Sequence, residues 1–127
     1  MSHFTTIKTE ILDLNILKQT ISDLGFTMHE GDKLTARNGQ IKSVDFFVRI
    51  DSKSCIGFKE QSPGKGYSII ASAETFYRDN NGRMIQMIQQ EYAYRKVLHE
   101  TRKRGFSLVE EQRVKAGVIK LILKKVA

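Results

Sequence analysis

The segment DLGFTMHE, residues 23–30, closes one periodic stretch and opens another of a different period. Before it, Leu14, Leu17, Ile21 and Leu24 recur at three- and four-residue spacing, which is one face of an α-helix. Asp13 stands where a cap for that helix belongs. Gly25 takes the place just past the helix end, where a glycine enters the left-handed turn without strain. Beyond it, Phe26 and Met28 alternate as in a strand. Much later, KRGFSLVEE (103–111) repeats the plan: helix end, glycine, phenylalanine, alternating run.

Working outward, HFTTIKT (3–9) reads as a first strand. Asn38-Gly39 is a turn signal, and IKSVDFFVRI (41–50) follows as a strand with an antiparallel partner across that turn. Val44, Phe46 and Val48 share one of its faces, Phe47 and Arg49 the other. CIGFKE (55–60), the turn SPGKG (62–66) and the strand YSIIAS (67–72) come next. Residues 73–81 read as a loop, broken at Asn80-Asn81-Gly82. The longest periodic segment is 83–104, with Met84, Met87, Ile88, Glu91, Tyr94, Arg95, Leu98 and Arg102 on one half of the helical wheel. Its last turn carries Arg102, Lys103 and Arg104, which complement the helix dipole. FSLVEE and VIKLILKK then form a closing hairpin across Lys115-Ala116-Gly117.

These elements define one α+β domain over residues 1–127, a mainly antiparallel sheet with two helices on one face. The two helix-Gly-Phe units have two readings: a β-α-β-β pseudo-repeat, or a chance likeness of two connections. Neither requires a function, because glycine supplies the turn and phenylalanine packs back on the helix.

A length of 127 residues, 40% apolar and 28% charged, fits a globular domain. The net charge of +7 is uneven. Residues 1–100 hold 13 Lys/Arg and 12 Asp/Glu, whereas residues 101–127 hold 8 and 2, so the basic character belongs to the C-terminal unit. Such a patch attracts an acidic protein or a nucleic acid. The single Cys55 forms no internal disulfide and reads as a small buried hydrophobe in CIGF. No apolar run approaches membrane-span length, and MSHFTTIKTEILDL lacks the basic-then-apolar plan of a secretory signal.

The chemical motifs are sparse. His3, His29 and His99 have no metal-ligand spacing, alone or with Cys55. GKGYS (64–68) fails the phosphate-loop spacing because its lysine precedes the second glycine. DNNG (79–82) lacks the later ligands of a calcium loop. Glu91 sits in the apolar half of the long helix, four residues before Arg95, so the two are expected to form a structural ion pair. Tyr92 and Tyr94 flank Ala93 and point to opposite sides, one toward the sheet. No catalytic residues, metal ligands or cofactor site are indicated.

The leading expectation is therefore a non-enzymatic accessory or assembly protein acting through protein contacts. Its surface is expected to include Tyr92, Tyr94, Lys96, Arg102, Lys103, Arg104, Arg113 and Lys115. The first alternative is weak nucleic-acid binding through the basic C-terminal patch. The second is an enzyme or small-ligand binder whose site forms only in three dimensions, with a deep pocket expected near Asp45, Glu91 or His3.

MSHFTTIKTEILDLNILKQTISDLGF, VDFFVRI, IGF, QQEYAYRKVLHE and GFSLVEE resemble a family of conserved plastid-encoded and cyanobacterial open-reading-frame proteins, grouped as a domain of unknown function. The resemblance spans essentially the whole chain. It implies no activity and no catalytic residues. It does imply a compartment: plastid stroma, or cytoplasm if cyanobacterial. Relative to the resembled proteins, this chain lacks tryptophan in 69–77, and has Glu at 91 where Arg is frequent and Arg at 95 where His is frequent.

Overall fold

Strands with apolar side chains on both sides cannot lie on a surface, and YSIIAS is such a strand. In a computed structural model, which describes residues 4–36, 38–52, 54–115 and 118–125, it runs through the middle of the molecule. The elements are β1 (Phe4–Lys8), α1 (Leu14–Asp23), β2 (Met28–Glu30), β3 (Lys33–Thr35), β4 (Ile41–Ser43), β5 (Phe46–Asp51), β6 (Ser54–Glu60), β7 (Tyr67–Ser72), α2 (Ala73–Arg78), α3 (Arg83–Lys103), β8 (Phe106–Lys115) and β9 (Val118–Lys125). Five strands form one antiparallel sheet in the order β1-β7-β6-β5-β2. The pairs β3–β4 and β8–β9 stand apart from it as two-stranded antiparallel ribbons.

The helix-covered face carries Phe46, Val48, Ile56, Phe58, Ile69 and Ala71, all buried. Leu17 and Ile21 of α1 pack on it, with Ile85, Ile88 and Tyr92 of α3. Asp13 caps α1 as expected: its Oδ1 accepts the Ile16 N–H at 3.1 Å. Both helix-ending glycines adopt the left-handed conformation, Gly25 at φ +88° and Gly105 at φ +81°. The likeness of the two units ends there. β2 joins the main sheet by pairing with β5, whereas β8 pairs with β9 in its own ribbon. No helix among the described residues is long and apolar enough to cross a membrane.

Two segments differ from the sequence reading. IKSVDFFVRI is two strands, broken at Val44 and Asp45. The Val44 N–H turns to the Asp32 carbonyl and the Asp45 N–H to the Phe58 carbonyl, at 2.9 and 2.8 Å. β4 therefore pairs with β3 around Asn38-Gly39, while β5 pairs with β2. The 73–81 stretch is not all loop: residues 73–78 form α2, started by Ser72, whose Oγ accepts the Thr75 N–H at 3.1 Å. Its single short turn leaves too few residues for a periodic signal.

The second face of the sheet is apolar too. Ile70, fully buried, forms a cluster there with Leu34 and Val44, flanked by Phe4, Phe47 and Cys55. Leu34 comes from the β3–β4 ribbon, which folds over this face. Gly57 lets it approach: a Cβ at that position would lie 2.5 Å from Val44 Cγ1 and 2.8 Å from Leu34 Cδ1. Cys55 is half-buried rather than fully enclosed, because the ribbon covers only part of the face.

A Gly57→Ala substitution is expected to lift the β3–β4 ribbon and cost about 1–3 kcal/mol, the usual range for overpacking. Urea unfolding measures the loss, and faster alkylation of the half-buried Cys55 thiol reports the displaced ribbon.

Candidate functional site

The sequence-derived surface residues separate once they are placed. Tyr92 is 5% exposed and belongs to the core. Its hydroxyl accepts the N–H groups of Leu12 and Asp13, at 3.2 and 3.0 Å, and so ties α3 to the start of α1. It therefore leaves the set of contact residues, for the physical reason that its ring faces the sheet. Lys96 is half-buried on another flank of α3, paired with Glu100 at 3.2 Å. Arg102, Lys103 and Arg104 are exposed at the end of α3, next to the root of the β8–β9 ribbon. The Lys115 side chain, His3 and the turn residues Ala116 and Gly117 lie outside the described residues.

Tyr94, Glu91, Arg95 and Arg113 are drawn into one polar cluster. Glu91 is 8% exposed. Arg95 Nη1 donates to its Oε2 at 2.9 Å, the i,i+4 pair expected from the sequence. Arg113 of β8 donates to its Oε1 at 2.5 Å. Arg95 also reaches Asp23 at the end of α1, at 3.1 Å. Arg113 pairs with Glu111 at 2.9 Å and lies over the Tyr94 ring, 5.5 Å from its centroid. The Tyr94 hydroxyl donates to Glu111 at 3.0 Å. Glu91 thus joins α3 to the ribbon, and Arg95 extends the network to α1 through Asp23.

The Arg113 hydrogen bond holds the Glu91 carboxyl below its ordinary range, with Arg95 adding to it and burial opposing. Burial raises the Tyr94 phenol, and its bond to Glu111 raises it further. Every member of the cluster is charged or hydrogen-bonded in its resting state. The arrangement is a clasp, and it offers no nucleophile with an adjacent base.

The register fixes what the ribbon shows to solvent. Glu111 lies opposite Leu121, and Arg113 opposite Ile119. These residues face α3 together with half-buried Phe106, Leu108 and Leu123. The opposite side presents Ser107, Glu110, Gln112, Lys120, Ile122 and Lys124, all exposed. Ile122 is 40% exposed, and Val109, at a ladder irregularity, 59%.

A further cleft has no counterpart in the sequence pattern. It lies on the second face, between the β3–β4 ribbon, the sheet and α2, with a volume of about 900 Å³. Phe47, Arg49, Ser54 and Cys55 line it from β5 and β6. Neither Asp45 nor Glu91 does; Asp45 Oδ2 instead accepts the Glu60 N–H at 2.7 Å. The sequence signal that could have located it is the pair Ile69 and Ile70, adjacent and both apolar, which requires a second covered face. No three His, Cys, Asp or Glu side chains among the described residues gather into a cluster that could hold a metal.

The fold defines a class: a small α+β protein with a helix-covered antiparallel sheet and an arginine-clasped β-ribbon. The family model described as "Protein of unknown function (DUF1257)" matches residues 20–122, and the chain belongs to that family. It is 34% identical over 128 residues to the uncharacterized protein ycf35 of Pyropia yezoensis, a match covering 98% of each chain. The ycf35 proteins of Cyanophora paradoxa and Guillardia theta are 28% and 29% identical over 127 residues, again across 98% of each chain. No solved structure matches it. Homology to these proteins supports a plastid or cyanobacterial setting.

Replacing Glu91 with Gln is expected to cost about 2 kcal/mol at neutral pH, the range for hydrogen bonds to charged groups. Because the folded carboxyl titrates below its unfolded value, its contribution is complete above the ordinary carboxylate pKa. It is lost as the pH falls through the depressed value. Denaturation curves of the wild type and Glu91→Gln should therefore differ at pH 7 and converge under strong acid.

Proposed function

We propose that this protein is a non-enzymatic accessory or assembly protein that works by contact with an acidic partner protein. The contact surface is the outer side of the β8–β9 ribbon together with Arg102, Lys103 and Arg104 at its root. The observation that carries this reading is the ribbon itself. Its two strands pair with each other and with no third strand among the described residues, so their outer edges can accept an added strand. Its outer side sets Lys120 and Lys124 around exposed Ile122, with Glu110 held by Gln112 at 2.7 Å, a charged rim around an apolar contact. The clasp at Glu91 holds the ribbon against α3 and leaves that side free.

Nucleic-acid binding is the competing reading of the same charge. The outer side carries no aromatic ring among the described residues, and single-stranded nucleic acid is usually held by stacking on such rings. The residues argue for a protein surface on that ground.

The test places a photo-crosslinking residue at position 122 and, as control, at exposed Lys18 of α1. The tagged protein is captured from its native compartment with and without nuclease. One protein, crosslinked from 122 but not from 18 and surviving nuclease, supports the proposal. Lys120→Glu with Lys124→Glu is then expected to weaken its binding at least about tenfold, or roughly 1.4 kcal/mol. Recovery of RNA or DNA, with loss of all crosslinked protein after nuclease, contradicts it.

A further inference from the structure

The cleft on the second face is built differently from the ribbon surface. We propose that it is a binding site for a small organic anion, a compound with a phosphate or carboxylate head on a planar apolar body. The volume of about 900 Å³ falls within the usual range for ligand sites, roughly 300–1,000 Å³. Phe4, Phe47 and Leu34 supply an apolar wall, and Tyr77 of α2, 75% exposed, sets a ring at the margin. The exposed Tyr77 ring offers a stacking surface for a flat ligand at that margin, while Phe47, already stacked on His29 with ring centroids 5.2 Å apart, serves as wall.

Three cations line the same cleft: Lys33 from β3, Arg49 from β5 and Arg78 from α2. None of them forms an ion pair among the described residues, in contrast to Arg95 and Arg113. The carboxylate of the lining, Glu74, is engaged in an interaction of its own. Three separate elements thus bring positive charge to one concavity, where an anion's head would be held by charge-assisted hydrogen bonds.

Ser54 adds an independent observation. It lines the cleft at the first position of β6, where the ladder with β5 slips, and it is 2% exposed. Its Oγ is buried without a hydrogen-bond partner among the described residues. Buried hydroxyls are nearly always paired, because an unpaired one loses its water for nothing. A ligand oxygen would supply the missing partner. Cys55 beside it has its thiol pushed up by burial, so it stays neutral and serves as wall rather than nucleophile.

The site is tested on the full chain by NMR titration with phenyl phosphate, benzoate, inorganic phosphate and benzyl alcohol. Phenyl phosphate or benzoate should produce saturable shifts confined to residues 33–36, 47–52, 54–55 and 72–78, and the tighter of the two identifies the preferred head. Inorganic phosphate and benzyl alcohol should each bind at least about tenfold more weakly, since each offers half of the recognised chemistry. Arg49→Gln with Arg78→Gln should weaken the preferred probe by a similar factor, while Lys120→Glu with Lys124→Glu leaves it unchanged, which separates this site from the ribbon. Ser54→Ala should weaken binding and raise the thermal midpoint, because it removes an unpaired buried hydroxyl. The proposal is overturned by shifts that do not saturate or spread over the basic ribbon. It is overturned equally by inorganic phosphate binding as tightly as phenyl phosphate, or by arginine variants that bind normally. A Ser54→Ala protein with a lower midpoint and unchanged affinity would show the hydroxyl to be satisfied within the fold, and would also overturn it.

Discussion

Ile69 and Ile70 are neighbours in β7, both fully buried, and they point to opposite sides of the sheet. That pair imposes the constraint from which the rest of the architecture follows: the sheet must be covered twice. Each such side chain gains about 1.5–3 kcal/mol by leaving water, so neither face can be left open at β6 and β7. The helices α1 and α3 cover one face with Leu17, Ile21, Ile85 and Ile88. Among the described residues no third long helix covers the other. The chain uses the β3–β4 ribbon instead, and Gly57, lacking a side chain, gives that ribbon room to lie down. A short ribbon covers less area than a helix pair. The uncovered remainder, bounded by α2, is the cleft.

The same economy explains α3. A helix that only covered a sheet would have one apolar side and one wet side. α3 has the sheet on one side and the β8–β9 ribbon on another, so Ile85, Ile88 and Tyr92 face inward while Tyr94 and Glu91 meet β8. An isolated two-stranded ribbon is marginally stable in water. Half-buried Phe106, Leu108, Leu121 and Leu123 supply part of what it needs, and the arginine clasp on Glu91 fixes its position. The join is thus more polar than the core beneath it, which suits an element that presents a surface rather than one that builds the core.

α1 and α3 were legible in the sequence because their signals are local, whereas the six-residue α2 was not. Asp13, Gly25 and Gly105 mark boundaries that the structure keeps within a residue or two. The Glu91–Arg95 pair was legible for the same reason, being one helical turn apart. Arg113, the stronger partner of Glu91, was not, since it arrives from 22 residues away across the root of the ribbon. The break of IKSVDFFVRI at Val44 and Asp45 was hidden too: alternation continues through it, and only the hydrogen bonds to Asp32 and Phe58 reveal two ladders. The inward face of α3, through Ile85, Ile88 and Tyr92, is masked for a related reason. A helix with neighbours on two sides has no single stripe, and the stripe through Glu91 and Tyr94 belongs to the ribbon rather than to the sheet. The cleft drew on β1, β3, β5, β6 and α2 at once, and no local pattern joins those positions.

A twice-covered five-stranded sheet forms the stable body, and the β8–β9 ribbon is a separately held element. Residue-resolved amide hydrogen exchange on the wild-type chain tests this division most directly. β6 and β7 should exchange only through global unfolding, β3–β4 should open at lower free energy, and β8–β9 should open independently of the sheet. Ribbon amides that exchange at the same free energy as β6 and β7, in one cooperative step, would contradict it.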